Sequence, residues 1–346
     1  MKKVFGAFIL FISLSLLLFS TGCGGGGGRG VLLGTTAVNS ARITGRVVDT
    51  AGNPVSGAAV VLDDSWHDTS GANGGFNTTL SSYNPATGAT AVLKATKAGY
   101  LDAFKMIEVS SDSLVNGAQE VSIVIQPLPT SQDEATQARI VRSDGSTENV
   151  APVQTTEGGA TFYKTTVTLS GTERAVSFDT PAPVGSSMPE ASFQIGSPDG
   201  TGTNAAGVLG TTGRITGSVA YGDPTDAADL ETFPGDFTTR IDTGGGEREQ
   251  ALITAGFVRI NLTDGSGAPI TSFAPGQTAK ITMTIPPSTV NPETGMLISP
   301  GDTIPLFVFN ESTGRWVVER TNGGAIRRAT VRAANDGTLY AEFETS

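Results

Sequence analysis

The stretch Ile43-Thr44-Gly45-Arg46-Val47-Val48-Asp49, followed by the turn residues Gly52-Asn53-Pro54, decides the fold of this 346-residue chain. Every second residue from Ile43 to Val47 falls on one face, and the same two-residue period returns at 58–62. Alternation of this kind is typical of half-buried strands, and Gly-Asn-Pro is a turn sequence. The sequence therefore predicts an all-β fold, with a first hairpin closed at the Gly-Asn-Pro turn.

The alternation continues in short runs as far as Ile125. Further runs occupy Ala91–Ala95, Ile107–Val109 and Val121–Ile125, with turn residues between them. Six or seven strands in about 85 residues predict a small β-sandwich. Prolines at 127 and 129 and a polar run at 130–136 mark a boundary, so the first domain is predicted to span residues 41–128.

Four segments of this domain carry a family resemblance. They are Ile43–Asp49, Gly52–Ala58, Gly75-Phe76 and Lys97-Ala98-Gly99-Tyr100. Together they resemble the carboxypeptidase regulatory-like domain. The resemblance implies a transthyretin-like, immunoglobulin-like sandwich without catalysis of its own, and Phe76 is predicted to fill its core. Thr69–Phe76 lacks the aspartate usual in the family's hairpin, which argues against a metal in that turn.

Residues 131–346 are predicted to form a larger β-rich region of one or two sandwich-like units. A glycine-rich stretch, Pro198–Gly213, is predicted to be a loop, and Asn335-Asp336-Gly337 is a strong hairpin signal. The predicted strands are Thr161–Leu169, Arg174–Phe178, Phe257–Leu262, Ala279–Ile285, Ile304–Phe309, Arg315–Glu319, Ala329–Ala333 and Leu339–Phe343. Trp316 follows a tight turn in an alternating strand and is predicted to be buried.

Residues 214–319 carry a second resemblance. The matching segments are Tyr221–Pro224, Phe233–Phe237, Gly301–Leu306 and Asn310–Trp316. They resemble a region shared by bacterial cell-surface lipoproteins and extracellular proteins of the cartilage intermediate layer type. Relatives of that type often continue with another strand, so a C-terminal region cut short at Ser346 is an expectation.

The N-terminus has the pattern of an export signal. Lys2 and Lys3 precede the uncharged apolar run Val4–Phe19, which is shorter than the ~20 residues of a membrane-spanning helix. Ser20-Thr21-Gly22-Cys23 resembles a lipobox, which implies cleavage after Gly22 and lipidation of Cys23. Residues 1–22 are then a signal peptide whose helix is removed, and 23–40 are the lipidated cysteine and a glycine-rich tether. Gly24 replaces the aspartate that retains lipoproteins at the inner membrane, so the expected location is the outer membrane.

Charge and cysteine content exclude several classes of protein. The chain has 22 basic and 33 acidic residues, a formal net charge of −11. Such a surface repels phosphates, which argues against nucleic acid as a partner, and the lipid anchor is expected to hold the membrane by itself. Cys23 is the single cysteine, so no intramolecular disulfide forms. No cofactor is expected.

Two aromatic residues of the first domain are candidates for ligand binding. Trp66 in a polar segment and Tyr83 could stack on a sugar ring, whereas the alternative for Trp66 is that it covers the edge of the sandwich. His67, the one histidine, lies in Asp63–Asp68. A catalytic triad is set by geometry rather than by adjacency, so His67 is interpreted as a residue of a solvated loop.

Oxygen ligands leave calcium as the metal to consider. Zinc is nearly excluded by one histidine and one cysteine. Five carboxylates cluster in 14 positions, and hard cations take such ligands; they are Asp223, Asp226, Asp229, Glu231 and Asp236. An acidic surface loop without a metal is the alternative interpretation.

The sequence predicts an envelope-anchored lipoprotein with a structural, adhesive or binding role and no enzymatic activity. Its expected partners are the membrane, through Cys23, and a glycan or an envelope protein. A carbohydrate-binding module is the main alternative. A hydrolase with a carboxylate pair in the C-terminal region is a weaker alternative, because no two acidic residues sit in apolar sequence that would separate their pKa values.

Overall fold

The computed structural model describes residues 8–12, 39–63, 65–235, 237–242, 247–291, 293–321 and 323–345. Side chains are described for these residues except 8–12, 39, 65, 66, 238–242, 247–251 and 253. Strands arranged in several sheets make up most of this part of the chain, which confirms the predicted all-β class. The described helices, α1 and α2, have five residues each, and neither could span a bilayer.

Residues 39–128 form the first lobe. The strand β1 (Phe8–Ile12) precedes it in the chain but pairs with the second lobe. The strands of the first lobe are β2 (Asn39–Asp49), β3 (Ala59–Leu62), β4 (Ser65–Thr69), β5 (Gly75–Tyr83), β6 (Ala89–Thr96), β7 (Ala103–Val109) and β8 (Ala118–Ile125). These seven strands agree with the six or seven short strands predicted there.

Two sheets of the first lobe enclose an aliphatic core. One has the order β5-β2-β8, with β2 antiparallel to β5 and parallel to β8. The other, β4-β3-β6-β7, is antiparallel. Because successive side chains of a strand point to opposite faces, alternate residues such as Ile43 and Val47 are buried between the sheets. Phe76 is buried in this core, as predicted.

The predicted first hairpin is wrong. β2 and β3 lie in different sheets, so the Gly52-Asn53-Pro54 turn carries the chain from one sheet to the other. The turn itself is tight, because the Asp49 carboxylate accepts hydrogen bonds from the backbone N–H groups of Ala51 (2.9 Å) and Asn53 (2.8 Å). An isolated bridge, Val48 to Pro54, links its two sides. It is flanked by backbone hydrogen bonds from the Asp49 N–H to the Asn53 carbonyl and from the Val55 N–H to the Val47 carbonyl, both 2.9 Å.

The second lobe comprises residues 129–345 together with β1. Its largest sheet has the strand path β10-β9-β13-β14-β19-β25-β24-β22-β1-β18-β15-β12-β11. The elements are β9 (Gln137–Arg142), β10 (Thr147–Val150), β11 (Val153–Glu157), β12 (Ala160–Leu169), β13 (Glu173–Asp179), β14 (Ala191–Gly196), α1 (Ala205–Leu209), β15 (Gly213–Gly222), α2 (Ala227–Glu231), β16 (Thr238–Asp242), β17 (Glu247–Ala251), β18 (Ile253–Asp264), β19 (Ala279–Thr284), β20 (Val290–Asn291), β21 (Met296–Leu297), β22 (Thr303–Asn310), β23 (Arg315–Val318), β24 (Arg328–Ala333) and β25 (Leu339–Thr345).

A short helix replaces part of the loop predicted at 198–213. Asn204 caps α1 by accepting a hydrogen bond from the Gly207 N–H, and Gly210 ends it in the left-handed conformation at φ 69°. Val208 and Leu209 are buried in the main core of the lobe. The glycine-rich composition concealed this helix, because its stability comes from burial in the core rather than from helix propensity.

The N-terminal segment also differs from its prediction as a helix. β1 lies between β18 and β22 and is antiparallel to both. Phe8 pairs with Val258 on one side and with Val308 on the other. Its residues, Phe-Ile-Leu-Phe-Ile, are rich in the aromatic and β-branched types that fit a pleated sheet.

Candidate functional site

A cluster of buried aromatic and aliphatic side chains joins the two lobes. We call it the interlobe cluster; its members are Val92, Phe104, Phe233, Leu252, Phe257, Phe307, Phe309, Trp316 and Val318. Val92 on β6 and Phe104 on β7 come from the first lobe, and the others come from the second. Since aromatic side chains bury large apolar areas, this cluster fixes one lobe against the other.

The geometry of the cluster is specific. The rings of Phe104 and Phe309 are 5.5 Å apart, and Trp316 lies 4.9 Å from Phe309 with its plane tilted. The indole Nε1 of Trp316 donates a hydrogen bond to the Pro234 carbonyl at 2.9 Å. A backbone bond from the Gly235 N–H to the Phe104 carbonyl, at 2.8 Å, crosses the boundary between the lobes. Apolar packing and hydrogen bonds therefore hold the same junction.

A cleft of about 510 Å³ lies beside this junction. The cleft is lined by Val48, Ala103, Phe104, Lys105, Ser122, Ile123, Val124, Leu230, Glu231, Thr232, Phe233, Gly235 and Phe237. Phe237 stacks on Phe233 at 4.1 Å between ring centroids, with 15° between the planes, and is 39% exposed. An accessible aromatic ring in a concave site with a few polar neighbours is the usual form of a binding site for a small ligand.

Two charged groups line the same cleft. The Lys105 ammonium donates a hydrogen bond to the Ser122 carbonyl at 2.8 Å. Burial lowers the pKa of Lys105, whereas the nearby carboxylate of Glu231 acts in the opposite direction. The cleft can therefore offer a donor, an acceptor and an aromatic face to one ligand.

A smaller cavity of about 210 Å³ lies at the same junction. Its lining residues are Asp63, Val92, Lys94, Phe104, Glu311 and Ser312. The Asp63 carboxylate accepts a hydrogen bond from the Val92 N–H at 2.9 Å. Lys94 lies 2.9 Å from the Asp102 carboxylate and 4.9 Å above the Phe104 ring. These contacts give Asp63 a structural role beside Val92 and Lys94 a structural role beside Phe104.

A buried arginine crosses the lobe boundary. Arg259 on β18 is 7% exposed, and its Nη2 donates to the Gln126 side-chain oxygen at 2.7 Å. Burial lowers its pKa to about 10, although the carboxylates of Asp229 and Asp102 oppose that change. Its Nε and Nη1 have no hydrogen-bond partner in the described part of the chain. Removing a buried charge of this kind from its partners is costly, so Arg259 ties β18 to the end of the first lobe.

The described members of the predicted calcium cluster serve as caps and turn residues. Asp226 accepts from the Ala228 N–H and caps α2, and Asp229 accepts from the Asp223 N–H at 2.9 Å. Asp223 accepts from the Thr225 N–H and hydroxyl. Asp236 lies outside the described residues, and Glu231 lines the cleft. No group of three metal-ligating side chains is found among the described residues.

The two predicted sugar-stacking residues are not brought together at a surface. Tyr83 is 3% exposed and packs in the core of the first lobe, so the prediction that it stacks on a sugar is wrong. Alternation in β5 turns Tyr83 inward, as it does Leu80. Trp66 is in β4 rather than a loop, opposite Val61, and its side chain is outside the described residues.

The remaining candidates for chemistry are the single histidine, the buried carboxylates and the single cysteine. His67 is exposed on β4 rather than in a loop, and its Nε2 is 3.0 Å from the Leu62 carbonyl oxygen. Burial raises the pKa of both Glu190 and Asp229, and neighbouring carboxylates add to the rise in each case. Because the two pKa values move in the same direction, these residues are not separated into an acid and a base. Cys23, the predicted lipidation site, is outside the described residues.

Comparisons with known proteins give low similarity. No protein-family model matches the chain, and no curated protein matches it. Among solved structures, a streptococcal ancillary pilin is 17% identical with a TM-score of 0.19, over 47% of this chain and 60% of that one. The Bacillus anthracis TIE protein is 13% identical with a TM-score of 0.20, over 71% and 45%. The Bacillus cereus major pilin subunit BcpA is 12% identical with a TM-score of 0.21, over 89% and 88%. This chain spans less than two thirds of the first two structures.

Sequence reasoning missed Phe237 as a site residue. The segment Phe233–Phe237 is conspicuous for its two aromatics around a Pro-Gly turn, but nothing local separates the buried ring from the exposed one. Their difference arises because Phe233 packs 5.3 Å from Trp316 and 5.4 Å from Phe257, whereas Phe237 covers the outside of that group. Only the folded arrangement of distant strands makes that distinction.

Proposed function

We propose that this chain is a non-catalytic lipoprotein of the cell envelope, anchored through Cys23 in the outer membrane, with a structural or adhesive role. The observation that carries the proposal is the junction of two β lobes, locked by the interlobe cluster and leaving an accessible aromatic ring beside it. The two family resemblances, to carboxypeptidase regulatory-like domains and to proteins of the cartilage intermediate layer type, support the same role. Two β lobes on a lipidated tether are suited to presenting a surface away from a membrane.

Replacing the lipidated residue tests the anchor. Cells expressing the chain or its Cys23→Ala variant are labelled with radioactive palmitate, and their inner and outer membranes are separated. We expect label in the outer-membrane fraction for the unchanged chain and none for Cys23→Ala, because Cys23 is the single cysteine. Ser20→Ala, which keeps a small residue in the lipobox, is the matched control and should still be labelled. Equal labelling of the chain and of Cys23→Ala would contradict the anchor.

Carbohydrate recognition is the second candidate, and the exposed face of Phe237 favours it. Aromatic rings that line a cleft with a lysine and a carboxylate suit the apolar face and hydroxyl groups of a sugar. A glycan array followed by titration of the best ligand tests this. Phe237→Ala should abolish saturable binding, whereas Val153→Ala, at an exposed valine on β11, should not change it. Binding that is unaffected by Phe237→Ala would place the site elsewhere.

The hydrolase alternative is disfavoured by the geometry of the acidic residues. In the C-terminal region, burial raises the pKa of both Glu190 and Asp229, so this pair is not divided into an acid and a base. The carboxylate that lines the smaller cavity together with Glu311 is Asp63 of the first lobe, which accepts a hydrogen bond from the Val92 N–H. A Glu311→Gln variant that lost a hydrolytic activity of the purified chain would restore this alternative. We expect no such activity.

A further inference from the structure

Two strands of the second lobe are separated by the width of one strand. β18 pairs with β15 on one side, and β22 pairs with β23 and β24. Between β18 and β22 lies β1, where Leu10 pairs with both Gly256 and Leu306. Because β1 is antiparallel to each neighbour, β18 and β22 run parallel to one another. We call the space between residues 253–258 and 306–308 the strand slot.

The strands that border the strand slot carry fully buried side chains. Ala255 and Val258 of β18 and Leu306 of β22 are at most 1% exposed and belong to the main core. Phe257 and Phe307 are 1% exposed and belong to the interlobe cluster. A vacant slot would leave backbone N–H and C=O groups unpaired at two strand edges above these cores. The slot therefore has a strong physical requirement for an occupant.

Processing of the lipoprotein would empty the slot. Cleavage before Cys23 removes residues 8–12, and with them β1. This step rests on the proposed function, since an unprocessed chain keeps its own strand. The mature chain would then carry two facing strand edges without the segment that joins them.

We propose that the strand slot of the mature protein accepts one extended apolar segment of a partner protein. The segment runs antiparallel to both β18 and β22, as β1 does. The chemistry of the segment follows from Phe8-Ile9-Leu10-Phe11-Ile12, which has five uncharged apolar residues and neither proline nor glycine. In such strand addition, main-chain hydrogen bonds supply affinity and the side chains supply specificity. Two edges instead of one double the available main-chain bonds.

A peptide experiment tests this proposal. The chain beginning at Gly24, which lacks only the lipidated residue of the processed form, is titrated with a fluorescent peptide of residues 6–14 extended by terminal lysines. We expect saturable binding, a higher Tm, and slower hydrogen exchange at the amides of 253–258 and 306–308. A Leu10→Pro peptide should bind at least about tenfold more weakly, because proline removes a main-chain donor. A Leu10→Val peptide is the matched control and should bind normally.

The results of these experiments distinguish a failure of the strand-slot proposal from a failure of the lipid-anchor proposal. Absence of peptide binding together with amides already protected in the mature chain would overturn the proposal, because the slot would then have closed on itself. If the mature chain forms oligomers that the peptide dissociates, the occupant of the slot is a second copy of this chain, and the proposed partner protein is wrong. The N-terminal residue of the protein isolated from membranes, read by mass spectrometry, tests cleavage independently of peptide binding.

Discussion

The two lobes are both β-structures, but they are completed in different ways. The first lobe draws its sheets from residues 39–125 and its main core from residues 41–125, so all of its strands come from one continuous stretch of chain. The part of the second lobe at residues 129–345 depends on segments outside that range. Its sheet path passes through β1, and the interlobe cluster includes Val92 and Phe104 of the first lobe. The first lobe is thus a self-sufficient sandwich, whereas the second needs a borrowed strand and borrowed side chains.

This difference shows where function can reside. The first lobe has little capacity to change on binding, since the side chains of its main core are already packed within the lobe. The second lobe takes part in both candidate binding features, the cleft at the junction and the strand slot. Changes directed at each lobe should therefore have different consequences for the whole chain.

Trp316→Ala should have the largest effect, because Trp316 is 1% exposed at the centre of the interlobe cluster. Truncating a buried aromatic costs about 3–5 kcal/mol of unfolding free energy, and the Pro234 carbonyl also loses its donor. Guanidinium unfolding followed by circular dichroism should show the second lobe unfolding earlier, with the first lobe's transition unchanged. Val317→Ala, at an adjacent residue that is 45% exposed, should change little, and equal losses in the two variants would contradict the role of the cluster.

Glu173→Gln should destabilise the second lobe alone. Burial would raise the pKa of Glu173, but hydrogen bonds from Ser170 and Gly171 outweigh burial and lower it to about 2. A folded pKa below the unfolded one contributes stability above about pH 4.5 that is lost as the pH falls toward 2. The variant should lose about 2–4 kcal/mol at pH 7, as expected for a broken buried network. Urea unfolding at pH 7 and pH 3 measures both effects.

Glu148→Gln is the control for that prediction. Glu148 pairs with Arg142 at an exposed position, where an ion pair contributes at most about 1 kcal/mol. A loss at Glu148 as large as that at Glu173 would show that burial does not govern these carboxylates.

Gly45→Ala should destabilise the first lobe. A Cβ at this position would lie 1.9 Å from the Val121 carbonyl oxygen and 2.6 Å from the Phe76 ring. Overpacking of this kind costs about 1–3 kcal/mol, and it should lower the first transition in thermal unfolding. Gly71→Ala, whose Cβ would meet nothing closer than 3.6 Å, should leave that transition in place. If Gly45→Ala instead lowered the unfolding temperature of the second lobe, the first lobe would not unfold as an independent unit.

Glu190→Gln should have the smallest effect, and it should be stabilising. Burial, followed by the charges of Asp229 and Asp223, raises the pKa of Glu190 in the folded protein. The native state therefore binds this proton more tightly, so its contribution is full at low pH and is lost as the pH rises through the folded pKa. The variant should melt slightly higher than the unchanged chain at pH 7 and the same at pH 4. Glu120→Gln on the exposed face of β8 should melt normally at both.

Local sequence was sufficient for much of the fold. The Asn335-Asp336-Gly337 signal lies between β24 and β25, where the Ala334 N–H donates to the Thr338 carbonyl at 2.9 Å. Alternation in the strand predicts that Trp316 is buried, and the structure confirms this prediction. Both features are determined within a few residues by turn chemistry and strand periodicity.

The candidate site was beyond such reasoning, because its parts are distant in sequence. Phe104 meets Phe309 across about two hundred residues, and no local pattern specifies that contact. Residue type alone predicts Tyr83 at a surface, whereas its position in β5 turns it inward. The apolar run at the N-terminus predicts a helix and not β1, because a run of that length does not reveal its pairing partners.

Separate expression of the two lobes tests the central comparison most directly. Residues 39–128 and residues 129–346 are produced as individual proteins, and their thermal unfolding and amide dispersion in NMR spectra are compared with those of the whole chain. We predict that 39–128 unfolds cooperatively at nearly the temperature of its transition in the whole chain. We also predict that 129–346, without β1 and Phe104, shows no cooperative transition. A fragment 129–346 that unfolds cooperatively at the same temperature as in the whole chain would contradict the account.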